Sequence, residues 1–245
     1  MDTRVESIAE NKFEIDSFIL KIIAICAMTF NHIANVFGEA LPMGFRVPFY
    51  AIGGLTFPIM AFSIVEGYHK TSNVKKYMLR ILIFGLIALF PFFWAIGYSL
   101  NVLFTLLLGL VCLYLRDHMK NKNVFWLCFA GIVIFTILCD WALLGVSLIM
   151  AFGTVKGEKR RIILPVIAVS VAGIAITSSL AILNNTGYIQ ILLDACFFLV
   201  CLGVIPLLMS YHGKRGYSPR SLRYLFYIYY PVHLAVLAGI NWLIK

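Results

Sequence analysis

Apolar residues run through this chain in long blocks, separated by short polar stretches instead of alternating with them. A helix that crosses the hydrocarbon of a bilayer needs about 20 such residues, with about 17 to 25 tolerated. Blocks of this kind fall at 18–37, 47–67, 80–97, 101–115, 124–139, 141–154, 162–183, 188–210 and 223–243. The pattern predicts an all-α fold, a polytopic transmembrane helical bundle of about nine spans. No charged residue occurs from Ile81 to Leu115. One helix of that length would run to roughly 52 Å, so the chain has to fold back, and Gly97-Tyr98-Ser99 is the natural bend. Segments 101–115 and 141–154 are short, which fits half-helices that line a cavity.

Composition strengthens this picture. Residues of the A, V, I, L, M, F, W, Y and C types make up 62% of the 245 positions, charged residues only 13%, and the mean hydropathy is +0.93. So few polar side chains cannot cover a water-soluble surface. The formal charge of +9 is then read as basic loops on one side of a membrane and not as a nucleic-acid footprint. Lys70, Lys75, Lys76 and Arg80 form one group; Arg116, Lys120 and Lys122 a second; Lys156, Lys159, Arg160 and Arg161 a third; Lys214, Arg215, Arg220 and Arg223 a fourth. With Arg4, Lys12 and Lys21, 18 of the 20 basic residues fall on one side of a nine-span bundle, leaving Arg46 and Lys245 on the other. The positive-inside rule makes the N-terminus and the four loops cytoplasmic and the C-terminus external.

Residues 1–17 carry Asp2, Glu6, Glu10, Glu14 and Asp16 against Arg4 and Lys12. They do not resemble the basic start of a signal peptide and read as a short cytoplasmic segment or an interfacial helix, ahead of a single integral-membrane domain over 18–245. All six cysteines (Cys26, Cys112, Cys128, Cys139, Cys196, Cys201) lie in apolar blocks and read as small packing residues; no spacing implies a metal or a disulfide framework. Asn184-Asn185-Thr186 matches a glycosylation sequon, a motif too common to decide anything.

Ionisable residues inside a span are costly, so each is a functional candidate. Lys21 and His32 are eleven residues apart; at about 100° per residue this is about 20° past three turns, which puts both on one helix face about 16.5 Å apart. With Lys21 at the cytoplasmic edge, His32 sits just beyond the midplane, and Asn31 and Asn35 are near enough to orient it. His233 lies roughly 15 Å in from Arg223, at nearly the same depth, with Tyr229 and Tyr230 one turn earlier. Two imidazoles at one depth fit a water-excluded reaction chamber better than two unrelated packing events. Asp140 and Asp194 fall near the outer ends of their spans. Either could hold a histidine in one tautomer or receive a substrate amine, although Asp194 reads more simply as a helix cap. Glu66 lies at the inner end of its span near Arg80, a pairing that reads first as a structural salt bridge. The basic inner ends are where a phosphorylated donor would arrive.

At these residues the chain resembles the TraX family, membrane proteins named for acetylation of conjugative pilin at its N-terminus and grouped with the wider transmembrane acyltransferases. The run Leu20-Lys21-Ile22-Ile23-Ala24 with Met28 and His32 is similar to the family's opening motif, and to the Arg-x10-His signature of acyltransferase-3 proteins with Lys21 in place of arginine. Phe57-Pro58, Glu66-Gly67-Tyr68, Thr71, Asn73, Tyr77 and Arg80 continue the match, as do Asn101 to Gly109, Asp140 with Gly145-Val146, Phe226-Tyr227 and Tyr230-Pro231-Val232-His233-Leu234. Together they cover almost the whole chain. Two departures stand out: Gly54 replaces an expected arginine after Gly53, and Ala88-Leu89 replaces a polar pair before Pro91.

The resemblance implies transfer of an acetyl group from cytoplasmic acetyl-CoA to an acceptor at the outer face of the cell membrane. The acceptor could be a pilin-like N-terminus, a surface glycan or a lipid headgroup. On that implication Lys21, Lys76 and Arg80, with Glu66 and Tyr77 beside them, face the donor. His32 is the general base or is itself transiently acetylated; Asn31, Asn101 or a backbone N–H stabilises the oxyanion; His233 and Asp140 orient the base or the acceptor. The chief rival reading is a transporter or flippase, because Pro58, Pro91, Pro165, Pro206 and Pro231 all fall in spans; no pair of matching halves supports it. A third is a membrane-embedded assembly partner, which would bind no CoA.

Overall fold

Short polar side chains decide where several of the helices begin. Asp16, Asn73, Asn101 and Asn121 each turn a side-chain oxygen onto free amides of the helix that follows, which satisfies donors that would otherwise have no partner. The computed structural model describes residues 14–244 except Glu39 and Tyr98, so nearly all of the segment 1–17, expected to be cytoplasmic or interfacial, lies outside the described residues. Eleven α-helices form among the described residues: α1 Ser17–Val36, α2 Met43–Ile52, α3 Thr56–Lys70, α4 Val74–Ala95, α5 Val102–His118, α6 Lys122–Phe135, α7 Ala142–Thr154, α8 Arg160–Leu183, α9 Tyr188–Cys201, α10 Val204–Met209 and α11 Arg220–Leu243. No strand forms among the described residues; only two isolated bridges occur, Ile15 with Tyr211 and Leu100 with Cys139.

Six of the nine candidate spans are long and apolar enough to cross a membrane: Ser17–Val36, Met43–Lys70, Val74–Ala95, Arg160–Leu183, Tyr188–Met209 and Tyr224–Leu243. The other three are helical but shorter, with 17 residues in α5, 14 in α6 and 13 in α7. The interior is built around α3, α5 and α7, where Phe57, Ile59, Leu106, Leu110, Leu113, Leu148 and Ile149 are fully buried. Large apolar side chains on the outer helices face outward, among them Phe90, Leu127 and Leu183 at 73, 75 and 77% exposure. That distribution belongs to a bundle solvated by hydrocarbon, as composition requires.

Two local bends shape the bundle. At Gly97 the chain leaves α4 with φ +147, a conformation that favours glycine, and Leu100 then pairs with the turn before α7. Between α2 and α3 a 3-10 turn, Gly53–Leu55, passes so close to its neighbours that a Cβ on Gly54 would meet the Phe197 carbonyl of α9 at 2.1 Å. No side chain fits there without a shift of the backbone, which is the physical reason for glycine at this position.

Contacts gather the basic loops at one end. Lys70 bonds the Tyr211 hydroxyl and the Gly213 carbonyl, Arg116 the Gly153 carbonyl, and Lys214 the Glu14 carboxylate, holding that carboxyl below its usual range through the hydrogen bond first and charge second. Glu66 accepts from both Lys70 (2.9 Å) and Arg161 (3.0 Å). The expected Glu66–Arg80 pair therefore does not form.

Candidate functional site

The first and last helices pack side by side, and polar groups join them at successive levels. Near the basic end Phe18 and the Lys21 ammonium meet the Phe226 ring, the ammonium at 5.9 Å. Higher up, the Thr29 and Tyr229 hydroxyls are 2.7 Å apart. One turn beyond, His32 Nδ1 and His233 Nε2 are 2.7 Å apart, and both residues are buried. Their ring planes differ by 5° and their centroids are 5.0 Å apart, the hydrogen-bond length plus two ring radii, so the imidazoles lie edge to edge in one plane.

The direction of this bond follows from a second one. His233 Nδ1 lies 2.8 Å from the Tyr229 carbonyl, which can only accept, so Nδ1 carries the proton. In a neutral ring Nε2 is then an acceptor, and His32 Nδ1–H donates to it. By elimination the lone pair of His32 is on Nε2, which has no hydrogen-bond partner among the described residues. Tyr229 also lies parallel to His233, centroids 4.9 Å apart, and fixes its plane. The pair is thus a directed chain, Tyr229 carbonyl to His233 to His32, ending in one free basic nitrogen.

Around it the sequence-derived candidates divide. Asn31 sits one residue before His32 but turns toward α2, where its amide donates to the Tyr50 carbonyl at 2.8 Å and its oxygen accepts from Asn35. Asn101 is fully buried; its oxygen caps the Leu103 amide and its NH2 group donates to the Gly85 carbonyl, tying α5 to α4. Asp140 lies in the turn between Leu138 and Ala142, where burial pushes its carboxyl up to about 6, opposed by a hydrogen bond from the Trp141 amide. The turn is held by Trp141, left-handed at φ 65 and stacked on Phe57 at 4.4 Å. Asp194 is not a cap: seven residues into α9, it accepts from Tyr50 and Gln190, both at 3.0 Å.

At the basic end, Lys21 and Arg80 flank the start of α11 from α1 and α4. Arg80 lies over the Tyr77 ring at 5.6 Å and close to Tyr227, which stacks on Phe84. Lys76 stands one turn before Arg80 and both are exposed. Tyr77 packs its hydroxyl against Gly67 of α3. Glu66, engaged by Lys70 and Arg161, stands apart from this group. No cluster of His, Cys, Asp and Glu able to hold a metal occurs among the described residues. Sequence reasoning missed Thr29, Tyr50 and Gln190. Thr29 carried a weak signal, a hydroxyl three residues before His32 in an apolar run, and so did Gln190, one helical turn before Asp194; Tyr50 carried none, because its partner is 144 residues away.

The family model described as TraX protein matches residues 17–241. A protein of Dichelobacter nodosus named "Probable fimbrial assembly protein FimC, serogroup H1" is 30% identical over 248 residues, covering 92% of this chain and 96% of the relative. No solved structure matches.

Proposed function

The chain belongs to the TraX family, and from that premise we propose that it is an integral-membrane acetyltransferase, taking acetyl groups from cytoplasmic acetyl-CoA and passing them to an acceptor at the outer face. The N-terminus and the basic loops lie in the cytoplasm in this reading, following the positive-inside rule. The observation that carries it is the directed His32–His233 pair, which leaves a single unpartnered imidazole nitrogen among packed helices.

Acyl transfer from a thioester to an amine or hydroxyl needs one base that removes a proton as the nucleophile attacks and returns it to the departing thiolate. His32 Nε2 takes that role, and His233 stabilises the imidazolium by accepting its Nδ1–H. Lys21, Lys76 and Arg80 provide charge for the donor's phosphates, Tyr77 holds Arg80 in place, and the donor arm follows α1 and α11 from Lys21 toward His32. Glu66 anchors Arg161 and Lys70 behind that entrance. Asp140 faces the acceptor. The relative's name, a fimbrial assembly protein, favours a fimbrial-subunit N-terminus over a glycan or a lipid headgroup.

Purified chain in vesicles, given acetyl-CoA labelled in the acetyl group and a fimbrial-subunit peptide with a free N-terminus, is expected to label the peptide. A His32→Ala protein that inserts normally should not. Label crossing the membrane without reaching any acceptor would identify a transporter instead, and absence of CoA binding would identify an assembly partner.

A further inference from the structure

An acyl-transfer site needs hydrogen-bond donors where negative charge develops on the carbonyl oxygen, and the two asparagines near the histidines direct their amides elsewhere, to Tyr50 and Gly85. Tyr230 meets the requirement. It is 4% exposed, its ring centroid lies 5.7 Å from that of His233 and 6.2 Å from that of His32, and its hydroxyl is buried with no hydrogen-bond partner. Buried hydroxyls are nearly always bonded, so an orphan beside a reactive pair calls for an explanation. A second group lies at the same place. The hydroxyl sits beside the Val102 amide at the N-terminus of α5 without closing a bond of good geometry. The next two amides are already engaged, Leu103 by the Asn101 side chain at 3.1 Å and Phe104 by the Asn101 carbonyl at 3.0 Å. Val102 is therefore the open amide at the positive end of a 17-residue helix, where anionic charge is favoured.

We propose that the Tyr230 O–H and the Val102 N–H together receive the carbonyl oxygen of the acetyl donor, as the oxyanion site of the transferase; this rests on the acetyl-transfer reading above. The acceptor's nitrogen or oxygen bonds to the carbonyl carbon while its proton passes to His32 Nε2. The carbonyl π pair moves onto oxygen and is held by the two donors. When that pair returns, the carbon–sulfur bond breaks, and the CoA thiolate takes the proton from His32. Acetyl-CoA and H–X become acetyl–X and CoA–SH, with every proton accounted for.

Tyr230→Phe removes one oxygen and fills the same volume. In vesicle-reconstituted full-length chain it should lower turnover about 10²- to 10³-fold, the usual effect of losing one such donor. The KM for acetyl-CoA should change little, and the melting temperature should stay the same or rise, because no hydrogen bond is lost. Val102→Pro deletes the other donor at a position where proline is tolerated: it is the first residue of α5, and Asn101 before it is extended (φ −66, ψ 167). It should likewise lower turnover with the fold intact. Wild-type turnover in Tyr230→Phe, with His32→Ala inactive, would overturn the oxyanion assignment and leave the transferase reading standing. A melting temperature that falls together with turnover would also overturn it, marking Tyr230 as structural. Full transfer by His32→Ala would end the parent reading instead.

Discussion

The Nδ1–H of His233 is bonded to the carbonyl of Tyr229, one turn earlier in the same helix, at 2.8 Å. This local bond, and not the contact between the two imidazoles, sets the polarity of the pair. It commits His233 Nε2 to accepting, and so places the available lone pair on His32. Pro231, between the two residues, lacks an amide and interrupts the helical ladder next to this link.

That polarity predicts unequal effects from two similar truncations. His32→Ala removes the base and should lower acetyl transfer by about 10³-fold, within the range usual for general catalysis. His233→Ala leaves the base in place but frees its tautomer and should cost about 10- to 10²-fold. Turnover of both variants, measured at equal membrane content, checks the order. Equal losses would mean the two rings act without direction.

Glu66 joins α3 to α8 through Arg161, with Lys70 on its other oxygen, and its side chain is only 17% exposed. Glu66→Ala strands the Arg161 guanidinium over the Phe62 ring and should destabilise the fold by about 1–3 kcal/mol. The double variant with Arg161→Met should recover most of that loss. Melting curves of the three proteins in one detergent provide the measurement.

Gly54→Ala tests the closest backbone approach. A methyl group there meets the Phe197 carbonyl at 2.1 Å, so the 3-10 turn has to move away from α9, at a cost of about 1–3 kcal/mol. Arginine, with its longer side chain, should be tolerated less than alanine. Yield of folded protein and melting temperature should fall in that order.

Asp140 gives a signed dependence on pH. Burial holds its carboxyl near 6 in the folded chain, against 3.8 for the free group. Between those values the folded form binds more protons. The group therefore supports stability fully below pH 3.8, and that support is lost as pH rises through 6. Asp140→Asn should flatten this part of a plot of melting temperature against pH.

Helical periodicity and depth made a good part of this legible in the sequence. Lys21 and His32 do share a face of α1, because period and rise are local properties of the backbone; that this face packs against α11 comes from the structure alone. Each of the nine apolar blocks appears as helix. What the sequence withheld depends on which helices become neighbours. Proximity in the chain pairs Glu66 with Arg80, yet it bonds Lys70 one turn on and Arg161 95 residues on, where α8 begins. Asn101 precedes an apolar run and carried a readable cap signal, which competed with its functional reading. Asp194 could not be placed before α2 was known to lie beside α9. The unbonded Tyr230 hydroxyl is an absence, and no residue pattern encodes an absence.

The two imidazoles belong to the first and last helices of one polypeptide, 201 positions apart. On the proposed mechanism, a chain cut before α11 keeps His32 but loses the ring that orders its protons and the Tyr230 hydroxyl with it, so both ends of the described fold have to be in place before the base has a direction.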